Sequence, residues 1–195
     1  MDEVELPKPE EMEEVISHKF TRRVALTTAI FAVILAFSSL GGNNAMKEMI
    51  LAQQQASDQW AYYQAKAARE HFYRGQKMRL ELDLLEKENL KPEIRQRYAT
   101  LLMEMTTQEE RYGKERLDIE KTARKLEHER DMASSKDPYF DYAEVLLQIA
   151  IVMATVAILS QSGAIFGVSL FAAIFGALLC LNGFFLLFHL PFLSH

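Results

Sequence analysis

Residues 145–188 read VLLQIAIVMATVAILSQSGAIFGVSLFAAIFGALLCLNGFFLLF and contain no charged side chain. As one helix, this stretch would be about 66 Å long, roughly twice the thickness of a bilayer core. It must therefore fold back on itself, and Ser160-Gln161-Ser162-Gly163 is its one turn-like segment. The stretch predicts two membrane spans, at about 142–159 and 164–190.

A third apolar run lies near the N-terminus, where residues 24–40 read VALTTAIFAVILAFSSL. Its length is at the short end of the range of about 17–25 residues that can span a bilayer. Lys19, Arg22 and Arg23 precede it, so a cleaved leader is a competing interpretation. That leader would be unusually long and acidic, which favours an uncleaved anchor.

The charged residues are concentrated between the apolar runs. Of the 22 Lys and Arg, 18 lie between Lys47 and Lys136, interleaved with acidic residues. A nucleic-acid-binding surface would need a basic face of one sign, so no nucleic-acid partner is predicted. The one cysteine, Cys180, provides no disulfide framework, and the histidines lack metal-ligand spacing. We therefore predict no catalytic residue, no metal ligand and no cofactor.

The charged middle of the chain predicts two long helices, at 45–88 and 92–133, rich in strong helix formers. Asn89-Leu90-Lys91-Pro92 separates them, and Pro92 is suited to a first helical turn. Because the two arms have nearly equal length, we expect an antiparallel hairpin. The resulting fold class is all-α, with three transmembrane helices and a coiled-coil hairpin inserted between spans 1 and 2. The predicted segments are an acidic tail at 1–18, span 1 at 19–44, the hairpin at 45–137, span 2 at 138–160, and span 3 with the C-terminus at 161–195.

A seam between the arms is predicted from seven-residue spacing. In the second arm, the row Tyr98, Met105, Tyr112, Ile119, Leu126 and Ala133 recurs every seven residues. In the first arm, steps of four and three connect Met46, Ile50, Gln53, Ser57, Trp60, Gln64, Ala67, His71, Arg74 and Met78. The predicted polar seam that sets the register consists of Gln53, Ser57, Gln64, His71, Gln108, Glu115 and Thr122. The expected register pairs Met78 with Leu101, Tyr112 with Ala67, Gln64 with Glu115, Trp60 with Ile119, Ser57 with Thr122, and Gln53 with Leu126.

Two further groups of residues favour association. The aromatic side chains of the segment AYYQAKAAREHFY and of the preceding Trp60 have more surface than a two-helix seam can cover. This makes Trp60, Tyr62, Tyr63, Phe72 and Tyr73 candidates for contacts between copies. Small residues, which let helices approach closely in lipid, line the last two spans at Ala150, Ala154, Ala157, Gly163, Gly167, Gly176 and Gly183.

Polar side chains mark the entry into the second span. Asp141, Glu144 and Gln148 lie on one helical face, where ionisable groups are costly and often functional. They are either at headgroup level, beside water or a neighbouring charge, or part of a path for ions or protons.

The sequence resembles a bacterial membrane-protein family known only as a domain of unknown function. The resemblance is carried by RRVALTTAIFAVILAFSSLGGNNA, ASDQWAYYQAKAAREH and DPYFDYAEVLLQIAIVMATVAIL, and it covers roughly residues 18–186. The segment SDQWAYYQAK, residues 57–66, is its most specific part. The resemblance implies a three-span architecture, and it implies no activity, substrate or catalytic residue.

Two functions remain open. The first is a non-enzymatic, self-associating membrane scaffold in the bacterial inner membrane, which contacts lipid, other copies and possible membrane or periplasmic proteins. The second is a small channel or transport accessory subunit that uses the polar face of span 2. Channels usually have a polar stripe through the whole span, and here the polar residues stay near the ends, which favours the scaffold.

Topology gives the first testable prediction. Lys19, Arg22 and Arg23 precede span 1 and only Lys47 follows it closely, so the positive-inside rule puts the N-terminus in the cytoplasm and the hairpin in the periplasm. A cysteine replacing Asn89 should react with a membrane-impermeant thiol reagent in intact cells whose outer membrane is permeabilised. Protection of this cysteine until the inner membrane is opened would reverse the assignment.

Overall fold

The computed structural model describes residues 9–87 and 90–188, and the regular structure in these ranges is entirely α-helical. Helix α1 spans Pro9–Glu86, α2 spans Pro92–Ser160 and α3 spans Gly163–Phe185. The predicted all-α class is confirmed, as are the breaks before Pro92 and at Ser160–Gly163. Residues 1–8 of the predicted acidic tail lie outside the described residues, and so does Asn89 of the predicted turn.

Helices α1 and α2 are longer than the sequence predicted. Helix α1 continues through Gly41-Gly42-Asn43-Asn44, and α2 continues through Pro138. An interior proline typically costs a helix about 3 kcal/mol and each glycine about 1 kcal/mol relative to alanine. Packing offsets these costs, because Tyr139 and Phe140 beside the proline are 4% and 2% exposed.

The chain divides into two compact units. We call Met1–Glu48 with Met132–His195 the apolar unit, and Met49–Asp131 the charged unit. Helices α1 and α2 each contribute to both units, whereas α3 belongs to the apolar unit alone.

The interior of the apolar unit is organised around Phe140. A methyl group at Gly41 would overlap the Phe140 ring, and one at Gly183 would lie 2.9 Å from two of its ring atoms. Gly41 belongs to α1 and Gly183 to α3, so the ring of α2 occupies space that both other helices leave open. Ser38 of α1 donates a hydrogen bond from Oγ to the carbonyl oxygen of Phe140, at 3.2 Å.

Small side chains fill much of the rest of this interior, together with Leu147 and Phe31, which are 0% and 4% exposed. Ala150, Ala154 and Ala157 of α2 are fully buried, and Ala173, Gly176 and Cys180 of α3 are buried as well. Ser169 donates a 2.6 Å hydrogen bond across to the carbonyl oxygen of Ala150. Small contacts of this kind let helices approach closely.

The end of α3 is closed by the amide side chain of Asn182. Its Nδ2 donates to the carbonyl oxygen of Phe188 at 2.8 Å, and its Oδ1 accepts from the Phe188 N–H at 2.9 Å. Tyr139 of α2 also donates to that carbonyl oxygen, at 3.1 Å. The peptide groups that follow the helix are therefore paired within the protein.

The outer faces of the apolar unit carry large apolar side chains. On α1 they recur at steps of four and three, and the set consists of Leu26, Ile30, Val33, Phe37 and Leu40, each at least 56% exposed. Helix α3 exposes Phe171, Ile174, Phe175, Leu178, Leu181 and Phe185. By length and composition, the three helices are apolar enough to cross a membrane.

Packing around Phe140 yields a second prediction. Gly183→Ala should destabilise the protein, because the added methyl meets a ring that is already enclosed; overpacking of this kind typically costs about 1–3 kcal/mol. Gly167→Ala is the matched control on the same helix, since no atom lies within 4 Å of its added methyl. Thermal unfolding in mild detergent should show a lower midpoint for Gly183→Ala and an unchanged or higher midpoint for Gly167→Ala. Equal midpoints would contradict the tight packing.

Candidate functional site

The charged unit is held together by a seam between α1 and α2. On α1 the inward residues include Ala52, Ala56 and Glu70, which are 8%, 2% and 5% exposed. On α2 they include Tyr112 and Ala123, which are 8% and 0% exposed. The predicted α2 row is confirmed within this unit, because Tyr98, Met105, Ile119 and Leu126 are half-buried and Tyr112 is buried.

The α1 side of the seam was predicted wrongly at most positions, by one residue, although Trp60 and Ala67 of the predicted row are half-buried. Gln53, Ser57, Gln64 and His71 are all exposed, because the inward positions are the preceding ones, such as Ala52, Ala56 and Glu70. On α2, Thr122 is also exposed, whereas Gln108 and Glu115 are half-buried. The apolar Met46, Ile50 and Met78 suggested the position of the seam on α1. The buried α1 residues of the charged unit are instead alanines and the ion-paired Glu70.

Trp60 and Gln53 form hydrogen bonds beyond their predicted partners. Trp60 donates its indole N–H to Glu127 at 2.9 Å, whereas Ile119 was its expected neighbour. Gln53 accepts a 2.9 Å hydrogen bond from Arg130, whereas Leu126 was expected. The hydrogen bond from Arg116 to Tyr63 joins residues at the predicted level. The contacts run in opposite order along the two helices.

A cluster of paired charges occupies the middle of this seam. Its members, which we call the ion-pair cluster, are Lys66, Glu70, Arg74, Lys77, Glu109, Arg111, Glu115 and Arg116. The buried Glu70 lies between two arginines: Oε1 is 2.8 Å from Arg74 and Oε2 is 3.0 Å from Nε of Arg116. The contact with Arg116 is electrostatic, since neither of those two atoms has hydrogen-bond geometry.

Two further acids each bind two bases. Glu109 accepts from Arg74 at 2.8 Å and from Lys77 at 2.7 Å. Glu115 accepts from Lys66 at 2.6 Å and from Arg111 at 2.8 Å. Ion pairs that form a network with hydrogen bonds contribute more than isolated surface pairs do. The ion-pair cluster therefore joins α1 to α2 at several successive levels.

The pKa values in the cluster follow from these hydrogen bonds. The hydrogen bond from Arg74, followed by the one from Lys77, lowers the pKa of Glu109. The hydrogen bond from Lys66, followed by the one from Arg111, lowers the pKa of Glu115. The reciprocal bond to Glu115 raises the pKa of Lys66 above its ordinary value. All three groups are thus charged near neutral pH.

The aromatic candidates divide into two groups. Trp60, Tyr63 and Tyr73 pack across the seam: Tyr63 accepts a 3.1 Å hydrogen bond from Arg116, and Tyr73 stacks on Tyr112 with ring centroids 5.5 Å apart. Tyr62 and Phe72 are 51% and 59% exposed. Of the five candidates, these two rings are exposed, whereas Trp60, Tyr63 and Tyr73 are half-buried.

The polar residues behind the channel interpretation lie mostly on outer surfaces or already have partners. Asp141 and Gln148 are exposed, and Glu144 is half-buried. Two polar side chains of span 1 also have partners, because the hydroxyl groups of Thr27 and Thr28 donate to carbonyl oxygens one turn earlier in α1. The buried side chains of the apolar unit are mainly apolar or small, and a groove of about 170 Å³ is lined by residues that include Asn44, Glu48 and Lys136.

The predicted small residues also divide into a buried group and an exposed group. Five of the small residues, Ala150, Ala154, Ala157, Gly176 and Gly183, are buried inside the apolar unit. Gly163 and Gly167 are exposed, with no atom within 4 Å of an added methyl. Across residues 9–87 and 90–188, no group of three His, Cys, Asp or Glu side chains has the geometry to hold a metal ion.

The fold and the charge distribution define an all-α protein with three helices long and apolar enough to cross a membrane. The chain belongs to the family described as a domain of unknown function (DUF4337), whose family model matches residues 20–186. This match confirms the resemblance seen in the sequence. No curated protein and no solved structure matches the chain.

The ion-pair cluster yields a third prediction, on acid sensitivity. In the folded protein, the pKa values of Glu109 and Glu115 lie below the ordinary glutamate pKa of about 4.5. The stability that these ionised carboxylates contribute is therefore fully present above a pH of about 4.5. It is lost as the pH falls through their folded pKa values. Thermal unfolding followed by circular dichroism should show a falling midpoint below this pH. Glu109→Gln should reduce the fall, whereas Glu110→Gln, at an exposed position, should not. The same acid response in both variants would contradict the assignment.

Proposed function

We propose that the chain is an integral membrane protein whose apolar unit lies in a bilayer and whose charged unit stands in water as a helical hairpin. The observation that carries this proposal is the outer surface of the apolar unit, where many large apolar side chains are exposed, whereas its buried residues are mainly small apart from Val24, Phe31, Tyr139, Phe140 and Leu147. A protein whose outer surface meets water has the opposite arrangement, with its large apolar residues buried.

The energetic argument concerns the outer faces. Fully removing one Leu, Ile or Phe side chain from water is worth about 1.5–3 kcal/mol. The outer row of α1 alone presents Leu26, Ile30, Val33, Phe37 and Leu40. Patches of this size mark surfaces covered by a membrane or a partner. Because all three helices carry such faces, a surrounding lipid phase accounts for them together.

Within this architecture we propose a non-enzymatic role as a self-associating scaffold in the bacterial inner membrane. The N-terminus would be cytoplasmic and the hairpin periplasmic. The ion-pair cluster supports the proposal because its charges are used to join the two helices. The exposed Tyr62 and Phe72 leave aromatic surface for other copies or for other membrane proteins.

The alternative is a channel or transport accessory subunit. Its support is the exposed pair Asp141 and Gln148, with Glu144 between them. Since these residues lie on the outside of one copy, a polar path would need several copies arranged around a common axis.

Extraction and mass measurement test the proposed function. The protein should stay with membranes after an alkaline wash, enter solution only with detergent, and have the mass of more than one copy in native-lipid nanodiscs. Release by the alkaline wash would contradict membrane insertion, and a strictly monomeric mass would contradict self-association. Images of the assembly distinguish a dry bundle, expected for the scaffold, from a ring with a water-filled axis.

A further inference from the structure

One face of α1 in the charged unit is exposed and uncharged over its whole length. Its residues recur at steps of four and three, and every one of them is exposed: Ile50, Gln54, Ser57, Ala61, Gln64, Ala68 and His71. We call this set the uncharged face. The same spacing continues, still uncharged and exposed, through Gly75, Met78, Leu82 and Leu85.

The uncharged face is distinct from the seam to α2. Gln54 is two residues from both Ala52 and Ala56, the buried seam positions, and is therefore about 200° around the helix from each. The adjacent exposed row of α1, one residue later at each step, does carry charges, because it includes Asp58, Arg69 and Arg79. Solvated helix faces usually carry charges, and a long face without them at heptad spacing is typical of a helix–helix contact.

A groove marks the start of this face. It has a volume of about 490 Å³ and is lined by Met49, Ile50, Gln53, Gln54, Ser57, Asp58 and Arg130. Five of these seven side chains are uncharged, and the two charged ones have opposite signs, so the groove suits a helix surface of mixed, mostly uncharged character.

We propose that the uncharged face is the contact surface for a second copy of this chain. The inference rests on the proposed function, because copies inserted in one membrane in the same orientation have parallel α1 helices. A two-fold axis between them brings identical residues together. Gln54, Ser57 and Gln64 each carry both donors and acceptors, so each can hydrogen-bond to its own counterpart.

The flanking residues fit the same pairing. In a parallel heptad arrangement, a position on one side of the contact meets the position five residues later on the other helix. Trp60 then packs beside Ala65 of the second copy, and Ala67 beside Phe72 of the second copy, which sets a large residue against a small one each time. Beyond His71, Arg74 would meet Arg79 of the second copy, and this like-charge pair ends the contact.

Disulfide cross-linking of the full chain in nanodiscs tests the geometry. In a Cys180→Ala background, Ser57→Cys and Gln64→Cys should each form a disulfide with the same residue of a second copy. Gln55→Cys is the control, because residue 55 is exposed but lies outside the uncharged face. Cross-linking of Gln55→Cys as efficient as that of Ser57→Cys would overturn the proposal.

Charge substitution provides the second measurement. The double variant Gln54→Lys with Gln64→Lys should weaken association at least about tenfold, because each lysine would be buried at the contact without an acidic partner. The matched control, Gln55→Lys with Gln76→Lys, makes the same chemical changes at exposed positions away from the face and should leave association unchanged. Circular dichroism of both variants verifies that the helices are intact.

The outcomes separate the two proposals. A wild-type protein that is associated but insensitive to Gln54→Lys with Gln64→Lys would overturn the uncharged face and leave the scaffold standing. A wild-type protein that is monomeric in nanodiscs would overturn both.

Discussion

The apolar unit depends on one steric constraint, the fit of the Phe140 ring into the space left by glycines of α1 and α3. The ring is 2% exposed, and Gly41, Gly42 and Gly183 are the residues that let both neighbouring backbones approach it. The rest of the interior consists mainly of alanine, serine and glycine contacts, together with Phe31 and Leu147. The same packing holds α2 helical across Pro138, where a backbone hydrogen bond is missing.

The two units use opposite rules for their interiors. In the apolar unit, the buried residues are mainly small, and many large apolar residues face out. In the charged unit, the buried residues include alanines, Tyr112 and Glu70, and lysine and arginine side chains pair with acids on the opposite helix. The first arrangement fits the lipid surroundings that we propose and the second fits water, although α1 and α2 contribute to both units.

Sequence patterns predicted the helices well and the contacts between them less well. Composition, Pro92 and the Ser160–Gly163 segment predicted the helix class and the breaks, because these features act locally. The seam was misassigned because Met46, Ile50 and Met78 outweigh Ala52 and Ala56 in hydrophobicity, yet these alanines are the inward residues. Trp60 and Gln53 were paired with their nearest expected neighbours, whereas their side chains reach on to Glu127 and Arg130. Small residues and long charged side chains give little hydrophobic signal, so their pairing emerges only in three dimensions.

The ion-pair cluster also has a thermal consequence. Heat-capacity changes on unfolding come mainly from apolar surface entering water. The fully enclosed residues of the charged-unit seam include three alanines, Tyr112 and Glu70, and the large aliphatic side chains there are half-buried. We therefore expect this unit to have a shallow stability curve. Since the desolvation penalty of ion pairs falls as temperature rises, contacts such as Glu109 with Arg74 and Lys77 become relatively more favourable in the heat.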